Sequence, residues 1–234
     1  MSVPVTTAKT FRYERKFAIQ EYDIRHVESL VKLHPAHFSE IYHERYINNI
    51  YFDSRDLENY FGNVDGDDTR RKIRIRWYGD FYGNIEKPVL EIKHKRGLLG
   101  TKESFELPAF TLDETTSAVC IQDSIKRSLA PQILKNDVQR LEPTLVNRYK
   151  RKYFLSLDGI FRITIDSGIL FHRMYAYHNN FLEQYRDSSG IILELKYDQE
   201  HDECAHSIST HFPFRLSRNS KYIAGIDCLY NAVY

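Results

Sequence analysis

The sequence predicts an α+β fold whose strands close into a barrel with a charged interior, an apolar exterior and helices packed on the outside. Three observations carry this expectation. The stretch Lys72-Ile73-Arg74-Ile75-Arg76-Trp77 alternates with period two, so Ile73, Ile75 and Trp77 share one strand face and Lys72, Arg74 and Arg76 the other. A strand face that meets bulk water normally mixes polar residues, whereas this one carries only cations. Glu-x-Lys also occurs three times in strand context, as Glu14/Lys16, Glu91/Lys93 and Glu194/Lys196, and residues i and i+2 of a strand point the same way. The opposite faces of these strands are aromatic and aliphatic enough to be covered by helices, which leaves the ionic faces to meet each other inside. For any one strand, a solvated sheet face with cross-strand ion pairs is the simpler explanation of the pattern. At least five strands repeat it, with Arg12, Arg162 and Asp166 extending the ionic set, and that favours a lumen suited to a polyanion.

Taken in order, residues 1–10 read as a flexible lead-in and 11–234 as one domain. Residues 11–17 form a first strand with Arg12, Glu14 and Lys16 on one face; Arg15 interrupts the apolar face and can snorkel. Ile24, Val27, Leu30 and Val31 mark a helix over 21–33. Extended character resumes over 41–53, Ser54 caps a short helix over 57–61, and the Asp/Gly cluster of 62–69 is a turn. Strand 72–78, a hairpin loop over 79–84, the returning strand 88–93, a turn at 97–100 and a strand over 102–107 follow. Thr111-Leu112-Asp113-Glu114 reads as a capping box opening a helix. A second helical region spans 123–141 with a break at Pro131, and Pro143 ends it. Strands then run over 144–157, 161–166 and 191–197, with Asp158-Gly159 as a hairpin turn. A helix covers 201–210, and a Ser/Lys-bearing loop over 217–230 leads into a last helix.

Bulk properties narrow the function classes. The 234 residues suit one large domain, and 42% hydrophobic with 14% aromatic content supplies a core. Lys and Arg number 33 against 32 Asp and Glu, a net charge of +1, so any strong field is local and a global attraction to nucleic acid is excluded. No apolar run reaches membrane-spanning length and no signal-peptide core stands at the N-terminus. Cys120, Cys204 and Cys228 are odd in number and lack CxxC spacing, which points to a reducing, cytoplasmic setting. His201 and His206 lie five apart and share no helical face. Neither a Walker A loop nor GxGxxG is present.

Burying several cations without partners would cost several kcal/mol each, about the scale of ion desolvation. A wet lumen and an anionic ligand offset that cost. Arg meets phosphate oxygens in bidentate fashion and Lys acts as a point charge. The carboxylates among them either bind a divalent ion or pair with neighbouring Arg and Lys.

The ordered set of motifs resembles the polyphosphate polymerase domain of the vacuolar transporter chaperone (VTC) family, in the triphosphate tunnel metalloenzyme, CYTH-like superfamily. The matching segments are Tyr13-Glu14-Arg15-Lys16-Phe17, Tyr51-Phe52-Asp53, Ile73-Arg74-Ile75-Arg76-Trp77-Tyr78-Gly79, Leu90-Glu91-Ile92-Lys93, residues 148–154, residues 162–166, Leu193-Glu194-Leu195-Lys196 and Ser220-Lys221-Tyr222. They keep their order across 11–230. The resemblance implies an antiparallel eight-stranded β-barrel tunnel. It implies that Lys16, Arg74, Arg76, Lys93, Arg148, Arg162, Lys196 and Lys221 bind the reacting phosphates, with Arg12, Arg151, Ser220 and Tyr149 as further phosphate contacts. Glu194 would hold Mn²⁺ or Mg²⁺, with Glu14, Glu91 and Asp166 as further candidate ligands. The implied reaction moves the γ-phosphoryl group of ATP, or another triphosphate, onto inorganic polyphosphate. Translocation of the product would require a separate membrane protein. A hydrolase of the same fold and a non-catalytic polyphosphate-binding module share these motifs.

Overall fold

The computed structural model describes residues 12–96, 99–175, 177, 179, 181–187 and 190–230. The flexible lead-in expected over 1–10 and the side chain of Arg12 lie outside that set. The elements are β1 (Arg12–Ile19), α1 (Ile24–Lys32), β2 (Ser39–Asp53), α2 (Glu58–Val64), β3 (Thr69–Tyr78), β4 (Gly83–Ile85), β5 (Val89–Arg96), β6 (Leu99–Glu106), β7 (Phe110–Leu112), α3 (Ala118–Lys126) and α4 (Gln132–Val138). They continue with β8 (Glu142–Leu155), β9 (Arg162–Arg173), β10 (Gln184–Asp187), β11 (Ile191–Asp198), α5 (Asp202–Thr210) and α6 (Lys221–Tyr230).

One antiparallel sheet takes the order β1-β11-β9-β8-β2-β3-β5-β6, with β10 attached to β9; β4 and β7 form a separate pair. The path holds the eight strands expected. Its end strands β1 and β6 do not pair with each other among the described residues, so the ladder is open along one seam. Alternation along a strand decides which face a side chain takes, not which neighbour the strand finds, so a seam leaves no trace in the sequence.

The sheet nevertheless curls strongly. Five inter-strand steps separate β1 from β3, which in a flat sheet would be ~24 Å. Yet Lys16 of β1 donates to the Asn219 carbonyl at 3.1 Å, and Lys72 of β3 donates to the Ser220 hydroxyl at 2.8 Å. Two lysines reach adjacent residues only if the strands bend around a common axis.

Apolar residues cover the convex side in two clusters. Ile73, Ile75, Trp77, Leu90 and Ile92 pack under α3 and α4 through Ile121, Ile125, Leu134 and Val138. Phe17, Phe154, Ile163, Leu193 and Leu195 pack under α1 and α5 through Val27, Val31 and Ala205. Arg15, the exception on the apolar face of β1, is satisfied there: it donates to the Tyr197 hydroxyl at 2.7 Å and to Asp202 at 3.0 Å.

Two expectations need correction. Thr111 is not the cap of a helix; it lies in β7, Asp113 accepts the Thr115 backbone N–H in a turn, and Ser117 caps α3. A Thr-x-x-Glu spacing therefore occurs here in a strand-to-turn setting. The second correction concerns the last helix. α6 does not pack outside but against Ile47, Tyr51, Leu145, Tyr149, Phe171 and Ile192, on the concave face. Its first turn is polar enough to sit there: Lys221 pairs with Asp166, and the Tyr222 hydroxyl donates to the buried Asp53. Asp53 also accepts the backbone N–H groups of Asn59 and Tyr60, so one carboxylate ties α2 and α6 to the sheet.

Gly225 makes the close approach of α6 possible. A Cβ there would lie 2.5 Å from Leu145 Cδ2 and 2.7 Å from Phe171 Cδ1. Gly225→Ala is expected to destabilise the protein by roughly 1–3 kcal/mol through overpacking, although alanine is the better helix former. Urea unfolding checks this: the midpoint falls at unchanged slope, whereas an unchanged or higher midpoint shows that α6 is not held this tightly.

Candidate functional site

Directly opposed residues in an antiparallel ladder share a face, so register places the charged side chains. Arg74 opposes Glu91 and Lys72 opposes Lys93 across β3 and β5. Lys16 opposes Glu194 and Glu14 opposes Lys196 across β1 and β11. Arg151 opposes Asp166 across β8 and β9, and Lys196 opposes Arg162 across β11 and β9. All of these lie on the concave face. A bulge between Arg148 and Lys150, opposite Gly168 at φ +59°, resets β9 so that Asp166 stays there.

The concave charges form two centres. In the first, Asp166 is fully buried and accepts Arg151 through Nε at 2.5 Å and Nη2 at 2.6 Å, with Lys221 at 2.5 Å. Glu194 sits beside it, 2.8 Å from Lys196 and 3.6–3.7 Å from Lys16, Arg151 and Lys221. Burial works against ionisation of Glu194, but Lys196, Lys221, Arg151 and Lys16 together hold its carboxyl well below the usual range. Burial likewise opposes the Lys221 ammonium, and Asp166 and Glu194 outweigh it and raise its pKa.

The second centre is Glu91 on the opposite wall. It accepts Arg74 at 2.7 Å and Lys102 at 2.5 Å, with Arg76 at 3.6 Å. Burial favours its neutral form, but Arg74, Arg76 and Lys102 keep it ionised far below its ordinary value. Arg76 in turn donates to Asn49, which donates to Asn147, so two buried amides orient the guanidinium.

Between the centres stand lysines that repel. Lys72 is driven well below its usual pKa by burial and by Lys16, Arg74 and Lys93. Burial and then Arg74 lower Lys93 to about 8. The Lys93 side chain is nevertheless reached by solvent. Both hold if the lumen is wet but walled by protein and by like charges. We therefore read the shift as charge crowding more than dry burial.

The structure brings together Lys16, Arg74, Arg76, Lys93, Arg151, Lys196 and Lys221 with Glu14, Glu91, Asp166 and Glu194, and sets exposed Arg162 on the same face. Tyr149 lies beneath the Arg151 guanidinium and the Lys221 ammonium, ring centroid 5.3 and 4.7 Å away. Ser220 accepts Lys72. Arg148 is the correction: it opposes Asn48, which opposes Trp77, so it lies on the convex face. Its guanidinium stacks over Tyr46 at 3.8 Å. Arg148 and Arg151 are an odd number of residues apart, so only one of them can face the lumen. Sequence reasoning put Lys72 on the cationic face but not among the phosphate contacts, and did not assign Lys102, Asn49 and Asn147 to the site. Phase identified Lys72, in step with Arg74, and Lys102 opposes Lys93; nothing in the sequence marks the two asparagines.

The four candidate carboxylates differ in what they can still bind. Both oxygens of Asp166 and of Glu91 accept short charge-assisted bonds, so these two do not fit a metal ion. Their assignment as ligands is corrected accordingly. Glu194 Oε1 has only Lys16 at 3.6 Å and Lys221 at 3.7 Å, beyond hydrogen-bond length. Glu14 lies 3.8 Å from Lys16 and 3.7 Å from Lys196, the ammonium groups it shares with Glu194. Two hard oxygen donors on adjacent strands fit Mg²⁺ or Mn²⁺, which take one or two carboxylates and complete their shell with phosphate and water. Among the described residues no group of three His, Cys, Asp or Glu side chains converges as a cage. No helix among them is long and apolar enough to cross a membrane.

A family model described as the VTC domain matches residues 11–230. A comparison with curated proteins finds no match. Among solved structures, a protein of Pyrococcus horikoshii OT3 superposes with a TM-score of 0.53 at 12% identity, over 93% of this chain and 99% of that one. A candidate adenylate cyclase from Vibrio parahaemolyticus gives 0.50 at 15% identity, over 92% and 98%. A candidate adenylyl cyclase from Hippeastrum with a dominant triphosphatase activity gives 0.49 at 12%, over 92% and 96%. At these identities the first two likenesses show a shared fold alone.

Because Lys93 loses its proton near pH 8, the lumen sheds positive charge as pH rises through that value. Affinity for inorganic tripolyphosphate is expected to fall between pH 7 and 9 more steeply in the wild type than in Lys93→Arg, whose guanidinium stays charged. Calorimetric titration across that range checks it; parallel curves would show that Lys93 does not meet the anion.

Proposed function

The chain belongs to the VTC-domain family, and from that premise we propose that it is a metal-dependent polyphosphate polymerase. It moves the γ-phosphoryl group of ATP onto a growing polyphosphate chain held in the curled sheet, with residues 11–234 acting as one domain. The observation that carries this reading is the length of the cation track. Along β3 alone Arg70, Lys72, Arg74 and Arg76 share the concave face over ~20 Å. That row outruns a single triphosphate and suits two phosphate chains end to end.

Arg74 and Arg76, oriented by Glu91 and Asn49, hold one wall; Lys16, Lys196 and Lys221, gathered by Glu194 and Asp166, hold the other. Donor and acceptor phosphates clamped between them are brought in line, and cations meet the charge on the transferring oxygens. Glu194 and Glu14 hold the divalent ion, which neutralises phosphate oxygens when bound. The acceptor is a phosphate oxygen that is already an anion, so no general base has to remove a proton. Asp166 and Glu91, which are closed off by cations, support this choice of acceptor over water.

Incubation of purified protein with ATP and Mn²⁺, with products resolved by chain length, tests the proposal. Long polyphosphate is expected, with turnover reduced at least ~100-fold in Arg76→Ala and Glu194→Gln, about the loss of one electrostatic contact to a transition state. Free phosphate without chains would replace the polymerase with a hydrolase. Tight polyphosphate binding without turnover would leave a binding module.

A further inference from the structure

We propose that polyphosphate reaches the lumen sideways, through the seam between β1 and β6, so that the protein takes interior stretches of a chain and needs no free end to thread. The proposal rests on the lumen binding polyphosphate, and it adds the route and the form of chain that the route admits. The protein's own backbone holds the seam apart. Phe212 and Phe214 pack outside, against Phe17 of the convex cluster, whereas α6 lies inside. The segment between them crosses along the outer edge of β1. Leu216 bridges to Phe17, the Ser217 N–H donates to the Lys16 carbonyl at 2.8 Å, and the Ala18 N–H donates to the Ser217 hydroxyl at 2.8 Å. Backbone groups that would pair β1 with a further strand are taken there, so β6 cannot close on β1 at this level.

The crossing segment continues as a bar across the axis. Asn219 accepts Lys16 of β1 and Ser220 accepts Lys72 of β3, so residues 219–220 reach from one wall to the other. On one side of this bar α6 fills the space against Tyr51, Leu145, Phe171 and Ile192. On the other side lie β5, β6 and the seam, so a chain threading straight along the axis meets the bar and one entering sideways does not. Exposure across the sheet points the same way. In its middle, on β2, β8 and β9, the concave side chains Asn49, Asn147, Arg151 and Asp166 are buried. Toward the seam, on β1, β5 and β6, Glu14, Lys93, Lys102 and Ser104 are exposed. Lys16 stands on one lip and Lys102, opposite Lys93, on the other. Glu14 shares the β1 lip, with its charge offset by Lys16 at 3.8 Å and Lys196 at 3.7 Å, and Glu106 ends the β6 row toward the other mouth. A chain with charge on every phosphate, laid along these lips, exchanges its counterions for lysines wherever along its length it lands.

Long-chain polyphosphate biotinylated at both terminal phosphates, titrated calorimetrically with and without streptavidin, tests this. Streptavidin on both ends leaves no end to thread and leaves the interior free. The blocked chain is expected to bind the wild type within about twofold of the unblocked chain, because the contacts are to interior phosphates. Arg76→Ala, inside the lumen, should weaken both forms alike, which puts the blocked chain on the cation track and not on the outer surface. A loss of about tenfold or more on blocking both ends, with one blocked end tolerated, overturns side entry in favour of threading and leaves the lumen reading standing. Blocked-chain binding that ignores Arg76→Ala, while the unblocked chain depends on Arg76, overturns it too. If the unblocked chain does not bind the wild type, the lumen reading fails first and side entry with it.

Discussion

Eleven cations named above, from Lys16 and Arg70 round to Lys221, face four carboxylates across the concave surface of one curled sheet, and the uncancelled positive charge is the constraint to which the rest of the structure answers. Charges this close, walled by protein and only partly wet, interact more strongly than they would in bulk water. Asp166 and Glu91 absorb part of the repulsion by accepting short bonds at both oxygens. Lys72 and Lys93 show what is left over, since burial and then their cationic neighbours press both toward the neutral state. A polyanion reverses that pressure. The protein carries a strained charge distribution and the ligand relieves it.

The fold sustains the imbalance by separating its two surfaces. Every strand that turns a cation inward turns an isoleucine, leucine or aromatic ring outward, and two helical layers cover that exterior. Stability thus comes from the convex side while the concave side is left for charge. α6 is the exception, lying inside and reaching the site with Ser220 just before it and Lys221 at its first turn. Its placement depends on a glycine at the contact with Leu145 and Phe171, and on Asp53 beneath Tyr222. The helix therefore helps to fix the position of Lys221.

Much of this was legible in the residues. Period-two alternation found the cationic face of β3, the Glu-x-Lys units and the apolar exteriors, because a strand's side chains have only two directions to take. The inward set Lys16, Arg74, Arg76, Lys93 and Lys196 follows from it, while Lys221, on a helix, came from the family resemblance, which also supplied the order. What escaped are matters of partnership. Arg148 and Arg151 were both expected at the phosphates, although a strand allows only one of them to face inward. Glu91 and Asp166 looked like metal ligands until the cations opposite them were known. The short strands β4, β7 and β10 carry too few residues for a period, and α6 gave no sign that it packs inside. The seam between β1 and β6 is a property of the assembled sheet.

The central claim is that the free protein stores charge repulsion which a polyanion discharges. A Lys72→Met, Lys93→Met double variant tests it most directly, compared with the wild type in urea unfolding without ligand and in tripolyphosphate titration. Removing two crowded ammonium groups should raise the unfolding midpoint and weaken tripolyphosphate by about tenfold or more, on the scale of a lost charge-assisted contact. A lower midpoint with undiminished affinity would contradict it, showing that these lysines hold the sheet together and play no part in binding.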